Sequence, residues 1–426
     1  MDRNIRCTSS RIRLDGPENQ WIRSSAGMAN SRRTNPTLTL SLFIRLRAFS
    51  LAAIALCAIP GLTTFGSEHA AAAENLKKFP SKIVVGATLP LTGPGAAYGK
   101  IMQIGLQMGL DDAVARGVIG DSAFQLEVRD DQAQAGQAVS QTRDLINVGV
   151  VAIVTAYTAP PLGQQPIAAR AKVPVFNGGG DDPSQLGKDY LWNDVLMVDE
   201  EATAGMRYLH DTLGVKKVGI LFETDYTPNA LVGLQAAWKS VGGLDASAQS
   251  VDQTATTVGP QLEKLLAETP DALYLAVDGN IATLAYKELA QRNVKLPLMG
   301  YSGGATVPEA TNTPGLNLYY TTQSLTPTPQ FEAAAKKAGV DNITYLHETY
   351  FNIGEVIAQA LRMANEQGLD ADGAGIEAVL QKSPDVSFTG CCGTVTYTSK
   401  HGVSAKATIY RIVEGKAVAK AELDAN

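Results

Sequence analysis

The sequence Gly-Tyr-Ser-Gly-Gly at residues 300–304 has the spacing of a hydrolase nucleophile motif. In hydrolases of this kind the serine lies on a sharp turn between a strand and a helix, and a histidine acts as its base. His347 and His401 lie downstream and could supply that base. Residues 305–308, Ala-Thr-Val-Pro, leave little room for the required helix, and no His-Gly-Gly motif precedes them. An exported serine hydrolase using Ser302 is therefore the weaker alternative, and we expect no enzyme.

Glycines 93, 95 and 99 follow a predicted strand and resemble a dinucleotide-binding turn, with Asp130 placed as a ribose acceptor. Their spacing is G-x-G-x-x-x-G, and Pro-Leu-Thr at residues 90–92 separates them from the strand. Because the turn should follow its strand directly, a dehydrogenase is disfavoured. The sequence contains no Cys-x-x-Cys or His-Glu-x-x-His pattern. We expect no cofactor and no metal.

Composition favours two globular domains without a nucleic-acid partner. The chain has 426 residues, of which 45% are hydrophobic and 18% are charged, enough for sizeable cores. Its formal net charge is -6, which is unsuited to neutralising a phosphate backbone.

The first 73 residues predict an export signal. They carry nine arginines and no lysine, and residues 48–62 form an uncharged, largely apolar run. Alanines 70–73 follow and are the small residues that a signal peptidase needs. We therefore expect cleavage before Glu74 and a periplasmic location, with translation starting at Met1 or at Met28.

The remainder alternates short apolar runs with amphipathic ones, as βα units do. Two sets of such units imply two parallel sheets with helices on both faces. The predicted fold is α/β, with two similar doubly wound parallel-sheet lobes. The predicted strands are 83–89, 124–128, 151–155 and 173–176 in the first set, and 217–222, 247–251, 272–276 and 296–299 in the second.

The last third contains too few strands for another domain and must complete the first two. Residues 345–367 read as one long helix. Residues 394–397 and 407–413 alternate apolar and polar side chains around Lys-His-Gly, which predicts a β-hairpin. Cys391 and Cys392 are adjacent, and we interpret them as two packed or reduced thiols, with a vicinal disulfide left open.

The opening strand and its loop, residues 85–99, resemble the start of periplasmic substrate-binding proteins of the leucine/isoleucine/valine-binding type. Val-Arg-Asp-Asp at 128–131, Val-Pro-Val-Phe at 173–176 and Ile-Leu-Phe at 220–222, followed by Asp225 and Tyr226, continue the resemblance in order. It extends over residues 82–418 and implies a class I bilobed binding protein.

That fold implies two lobes joined by three crossing segments. The first lobe is expected at residues 80–197 plus 323–386, and the second at 198–322 plus 387–422. The crossings are expected near residues 196–199, 320–324 and 386–394.

The resemblance also implies a set of ligand-binding residues in loops that follow strands. The set comprises Tyr98, Tyr157, Thr158, Gly179, Gly180, Asp181, Tyr226, Asp278 and Ser302. Loop packing or helix capping could instead explain several of them, and Asp181, Asp182 and Asp278 all stand where helices could begin.

Two positions depart from the amino-acid binders of that family. Asp181 stands where they carry a hydroxyl residue, and Ser302 stands where they carry a glutamate that pairs with the ligand's ammonium. Asp181 could take over that ammonium, or the ligand could be a neutral amide or polyol.

The function implied is that of an extracytoplasmic solute receptor. It would bind a small polar organic ligand, such as an amino acid, an amide or a related compound, and deliver it to the membrane permease of an ABC transporter by lobe closure. The same fold could instead serve a ligand sensor acting on a membrane signalling partner. We expect a monomer.

Overall fold

The computed structural model describes residues 79–93, 95–224, 228–305, 307, 310, 312–323 and 326–425. The predicted leader, Tyr226 and Ser324 lie outside them. The described elements include two α/β sheets, the first parallel and the second mainly parallel, and helices alternate with their strands as predicted.

The first sheet is entirely parallel, in the order β2-β1-β3-β4-β5. Helices follow its strands in the alternation that the sequence predicts. The elements are β1 (Lys82–Leu89), α1 (Ala96–Ala115), β2 (Ala123–Asp130), α2 (Ala135–Val148), β3 (Ile153–Thr155), α3 (Ala159–Arg170), β4 (Val175–Asn177) and β5 (Leu191–Asn193).

The second sheet has the order β14-β13-β10-β9-β8-β6-β7, and β13 and β14 are its antiparallel strands. Its first elements are α4 (Val198–Arg207), β6 (Lys217–Glu223), α5 (Pro228–Ser240), β7 (Asp245–Val251), α6 (Gly259–Ala267), β8 (Ala272–Ala276) and α7 (Gly279–Gln291). It is completed by β9 (Pro297–Gly300), the short α8 (Ser302–Ala305), β10 (Asn317–Gln323), β13 (Lys406–Val413) and β14 (Lys416–Asp424).

The chain then returns to the first sheet. The returning elements are α9 (Pro329–Lys337), α10 (Tyr345–Glu366), α11 (Gly373–Leu380), β11 (Ser387–Gly390) and β12 (Gly393–Thr396). Helix α10 is buried along most of its length and packs closely on α1. A Cβ at Gly105 would lie 2.7 Å from the His347 carbonyl oxygen, and one at Gly109 would collide with that of Phe351. Glycines in α1 therefore permit this close helix packing.

The third crossing lies later than predicted. The hairpin of β11 and β12 contributes Phe388 and Val395 to the core of the first sheet, and the chain joins the second sheet only at Lys406. The expected boundary near residues 386–394 differs because these side chains are buried against α10 and Tyr397.

The predicted hairpin of residues 394–397 with 407–413 was wrong. Strand β12 pairs with β11, whereas β13 pairs with β10 and β14. Tyr397 and Val403 do form an isolated antiparallel bridge around the Lys-His-Gly turn. The turn is therefore local, but the long strand after it finds its partners in the second sheet.

Cys391 and Cys392, in the turn between β11 and β12, are joined in a vicinal disulfide. The interpretation as free thiols was therefore wrong.

Candidate functional site

The sequence-predicted site residues lie where parallel strands end. Tyr98 follows β1, Tyr157 and Thr158 follow β3, and Asp181 follows β4. In the second lobe, Asp278 follows β8 and Ser302 follows β9. Ligands of open α/β sheets bind at this carboxyl edge, so both lobes present their binding edge through these residues.

Glycines let the first-lobe loops stack closely. A Cβ at Gly180 would collide with the Tyr157 carbonyl group, and a Cβ at Gly179 would lie 2.9 Å from the methyl group of Met102. Tyr157 itself has a φ of 64°, and its hydroxyl would lie 2.8 Å from a Cβ at Gly95. The loops after β3 and β4 therefore form one packed unit.

Thr158 lies at the N-terminus of α3, where helix amide groups have no partner within the helix. Its side chain makes no capping hydrogen bond, and Pro160 and Pro161 follow in the first turn. This end of α3 can present backbone donors to a ligand oxygen.

The second lobe contributes a buried glutamate that the sequence reasoning missed. Glu201 lies on α4 and accepts hydrogen bonds from the Ser302 amide (3.0 Å) and the Thr321 hydroxyl (3.3 Å). Burial raises its pKa to about 7, although the hydrogen bonds from Ser302 oppose that shift. Ser302 therefore holds a carboxylate in place.

Asp278 belongs to the same side of the second lobe. Its carboxylate accepts a hydrogen bond from the Tyr301 hydroxyl (3.2 Å), and its backbone N–H donates to Glu223 (2.7 Å). It occupies the N-cap position of α7 without a side-chain capping bond.

Asp181 of the first lobe is influenced electrostatically by carboxylates of the second lobe. Burial raises the pKa of its carboxyl group well above the usual value, and the negative charges of Glu201 and Asp278 raise it further. Its backbone carbonyl accepts a hydrogen bond from the Val198 amide at the start of α4 (2.8 Å). Its neighbour Asp182, rather than Asp181, caps the turn at Pro183 through the Ser184 amide (2.7 Å).

Tyr345, at the start of α10, was also missed. Burial raises the pKa of its phenol, and Asp181, Glu201, Asp278 and, more weakly, Tyr98 raise it further. Groups of both lobes therefore affect the pKa of the Tyr345 phenol. Burial and the charge of Asp278 likewise raise the pKa of Tyr157 to about 12.

These residues together form the candidate site, which is called the inter-lobe site below. It comprises Tyr98, Tyr157, Asp181, Glu201, Asp278, Tyr301, Ser302 and Tyr345. Predicted Tyr226 lies outside the described residues. A signal for Glu201 was available in the Asp-Glu-Glu run at 199–201 directly after the first crossing.

The arrangement around Ser302 differs from that of a hydrolase. Ser302 is 7% exposed and is engaged with Glu201. The Nδ1 atom of His347 contacts Thr344, and that of His401 contacts the Lys188 carbonyl oxygen. Within the described residues, no histidine forms a hydrogen bond with Ser302. The two histidines proposed as its base are therefore not positioned to activate Ser302.

The described helices include none that is both long and apolar enough to span a bilayer. In the same part of the chain, no group of three or more His, Cys, Asp or Glu side chains is arranged to hold a metal ion.

A sequence model described as periplasmic binding protein matches residues 82–417. The chain belongs to the periplasmic binding protein family. Its leucine/isoleucine/valine-binding type and its class I fold, both predicted above, are confirmed.

A relative of this periplasmic binding protein agrees with that assignment. The Leu/Ile/Val-binding protein BraC3 of Rhizobium johnstonii (strain DSM 114642 / LMG 32736 / 3841) is 23% identical over 349 residues, covering 79% of this chain and 93% of the relative.

Two solved structures show the same fold. The leucine-binding protein LivK of Thermotoga maritima MSB8 has a TM-score of 0.70 at 18% identity, covering 80% of this chain and 99% of its own. The second is a solute-binding protein of an ABC transporter from Rhodopseudomonas palustris BisB5, in complex with 3,4-dihydroxybenzoic acid. It has a TM-score of 0.68 at 18% identity, and the match covers 81% of this chain and 98% of that protein's chain.

Proposed function

We propose that this periplasmic binding protein is an exported solute receptor that encloses a small polar organic ligand between its lobes and delivers it to an ABC permease. The observation that carries the proposal is that candidate residues of both lobes, Asp181 on the first and Asp278 and Ser302 on the second, follow the carboxyl ends of parallel strands, where ligands of this fold class bind. A ligand that contacts both lobes would favour the closed arrangement.

Three further observations support the proposal. The basic and apolar leader fits export to the periplasm. The family match fits a binding protein, and the Rhodopseudomonas palustris relative is a component of an ABC transporter. The site also has the composition of a small-molecule site, since tyrosine rings surround a few polar groups.

A thermal-shift screen of the purified protein tests the proposal. The solutes are amino acids, amides, aromatic acids, polyols and amines at millimolar concentration. A ligand that binds only the native state at about 100 times its Kd stabilises it by about 3 kcal/mol, which raises the melting temperature by several degrees. We expect at least one class to do so.

A matched pair of variants locates the binding. Asp181→Asn, in the site, should reduce the thermal shift, whereas Asp121→Asn, at an exposed carboxylate before β2, should leave it unchanged. Equal shifts in both variants would place binding elsewhere. Uptake of the identified solute by cells with and without the gene then tests delivery, and binding without any effect on uptake would favour the sensor.

A further inference from the structure

Asp130 is the last residue of β2 and is paired in register with Leu89, the last residue of β1. A ribose acceptor is the role that the glycine spacing after β1 gives this position, and the structure gives it another. Its carboxylate accepts hydrogen bonds from the backbone amides of Leu91 (2.9 Å), Thr92 (3.2 Å) and Gln132 (3.1 Å) and from the Thr92 hydroxyl. The carboxylate therefore joins two loops of the protein itself, the β1–α1 loop and the β2–α2 loop.

The β2–α2 loop has an unusual backbone. Gln132 and Ala133 have φ values of 53° and 59°, both in the left-handed region that residues with a Cβ rarely adopt. The Gln132 amide donates to Asp130, and the Ala133 amide donates to the carboxylate of Asp131 (2.9 Å). Such conformations persist where the surrounding structure holds them, and they are concentrated at functional sites. Two aspartates thus hold this loop beside the β1–α1 loop.

The β1–α1 loop, which Asp130 anchors, packs against the first turn of α1. A Cβ at Gly99 would collide with the Pro90 carbonyl group, and a Cβ at Gly95 would lie 3.1 Å from the Pro90 side chain. Pro90 directly precedes the two residues whose amides Asp130 binds. The turn at 95–99 includes Tyr98, a candidate ligand-binding residue. A displacement of residues 90–92 would therefore displace Tyr98.

The same turn contacts the next loop of the site. A Cβ at Gly95 would lie 2.8 Å from the Tyr157 hydroxyl, and a Cβ at Gly180 would collide with the Tyr157 carbonyl group. The loops after β1, β3 and β4 are therefore packed in series, and Asp130 anchors the first of them.

We propose that Asp130 is a positioning residue of the inter-lobe site, whose carboxylate fixes the β1–α1 loop and so holds Tyr98 and the turn at Gly95 against Tyr157. The inference rests on the proposed function and deepens it, because it names a residue that sets the affinity of the site through another residue. A loop that is already ordered costs less free energy to bind a ligand than a mobile one. Loss of the anchor should therefore weaken binding.

Three substitutions separate the position of the carboxylate from its charge. Asp130→Ala removes all four hydrogen bonds. Asp130→Asn removes the charge but keeps an oxygen for the three amides, and the Thr92 hydroxyl can accept a bond from the new amide group. Asp130→Glu keeps the charge but moves the carboxylate by one methylene group. We expect the Kd to rise at least about tenfold in Asp130→Ala, at most about threefold in Asp130→Asn, and by an intermediate factor in Asp130→Glu.

Asp252 provides a matched control in the second lobe. It directly follows β7, and its carboxylate accepts hydrogen bonds from the Thr254 amide (2.8 Å) and the Thr254 hydroxyl. It is therefore a loop anchor of the same kind, and its loop contains none of the candidate site residues. Asp252→Ala should lower the melting temperature and leave the Kd unchanged. A merely structural role for Asp130 predicts this same pattern for Asp130→Ala.

Isothermal titration calorimetry of the full chain measures the Kd, at a temperature where circular dichroism shows each variant to be folded. The probes are leucine, benzamide, benzoate, glycerol and 1,4-diaminobutane, one from each class of the thermal-shift screen, and a probe that binds the wild type is titrated into the variants. If Asp130→Ala does not fold, the comparison of Asp130→Glu with Asp130→Asn takes its place. Stronger binding by Asp130→Glu than by Asp130→Asn would show an effect of charge and would overturn the proposal.

The other outcomes separate this inference from the proposed function. An unchanged Kd in Asp130→Ala would overturn the positioning role and leave the solute receptor. Hydrogen exchange measured by NMR tests the anchor without a ligand, since the Leu91 and Thr92 amides should exchange faster in Asp130→Ala than in the wild type, and unchanged rates would also overturn it. If no probe and no solute of the screen binds the wild type, the proposed function fails and the positioning role fails with it.

Discussion

Two carboxylates of the first lobe, the buried Glu377 and the partly exposed Asp181, have different surroundings. Glu377, on α11, accepts hydrogen bonds from the Trp192 indole (2.8 Å), the Tyr190 amide (3.2 Å) and the Gln381 amide group (2.7 Å). For Asp181, burial and the negative charges of Glu201 and Asp278 raise the pKa of the carboxyl group. This difference indicates that Glu377 stabilises the fold, whereas Asp181 is a candidate for ligand binding.

The largest stability effect should come from Glu377. Replacing it with alanine leaves three donors without their acceptor, and we expect the free energy of unfolding to fall by about 3 kcal/mol. Urea unfolding followed by circular dichroism measures this change. Ligand affinity of the folded variant should be unchanged. A loss below about 0.5 kcal/mol would show that Glu377 is no more structural than Asp181.

A smaller effect should appear in the pH dependence of stability, through Glu201. Because its pKa is raised to about 7 in the folded protein, the folded state holds a proton that the unfolded state has released at pH 5–6. The stability that this proton confers is present below the unfolded pKa and is lost as pH rises through about 7.

Glu201→Gln should therefore lose about 2 to 3 kcal/mol less stability than the wild type between pH 5 and pH 8, in the absence of ligand. Urea unfolding at several pH values measures the difference. Asp194, whose pKa is also raised, remains in both proteins and cancels in this comparison. The pKa of Asp181 is raised partly by Glu201, so it should fall in the variant, which changes the pH profile in the same direction. Identical pH profiles would mean that Glu201 is ionised in the folded state.

Much of the fold could be predicted because its strands are buried on both faces. The run 83–89 and the run 272–276 are continuously apolar or small, and both became strands with almost the predicted bounds. The partner of residues 407–413 could not be predicted, since alternation identifies a strand but not its neighbour. Pairing with β10 depends on the whole second sheet.

The site was predictable only where loops follow strands. Asp181, Asp278 and Ser302 stand in such loops, and sequence order alone places them at a sheet edge. Glu201 lies within a helix and Tyr345 begins one, so neither stands in a loop directly after a strand. The acidic run at 199–201 is the one local signal for Glu201, and Tyr345 has none. Their contribution comes from the way in which α4 and α10 are placed beside the strand ends.

A crystal structure of the protein bound to the solute that gives the largest thermal shift tests the central claim most directly. We predict density for the ligand between the lobes, within hydrogen-bonding distance of Asp181 and of at least one of Glu201, Asp278 and Ser302. A ligand located outside the inter-lobe site, or one that contacts residues of a single lobe only, would contradict the account.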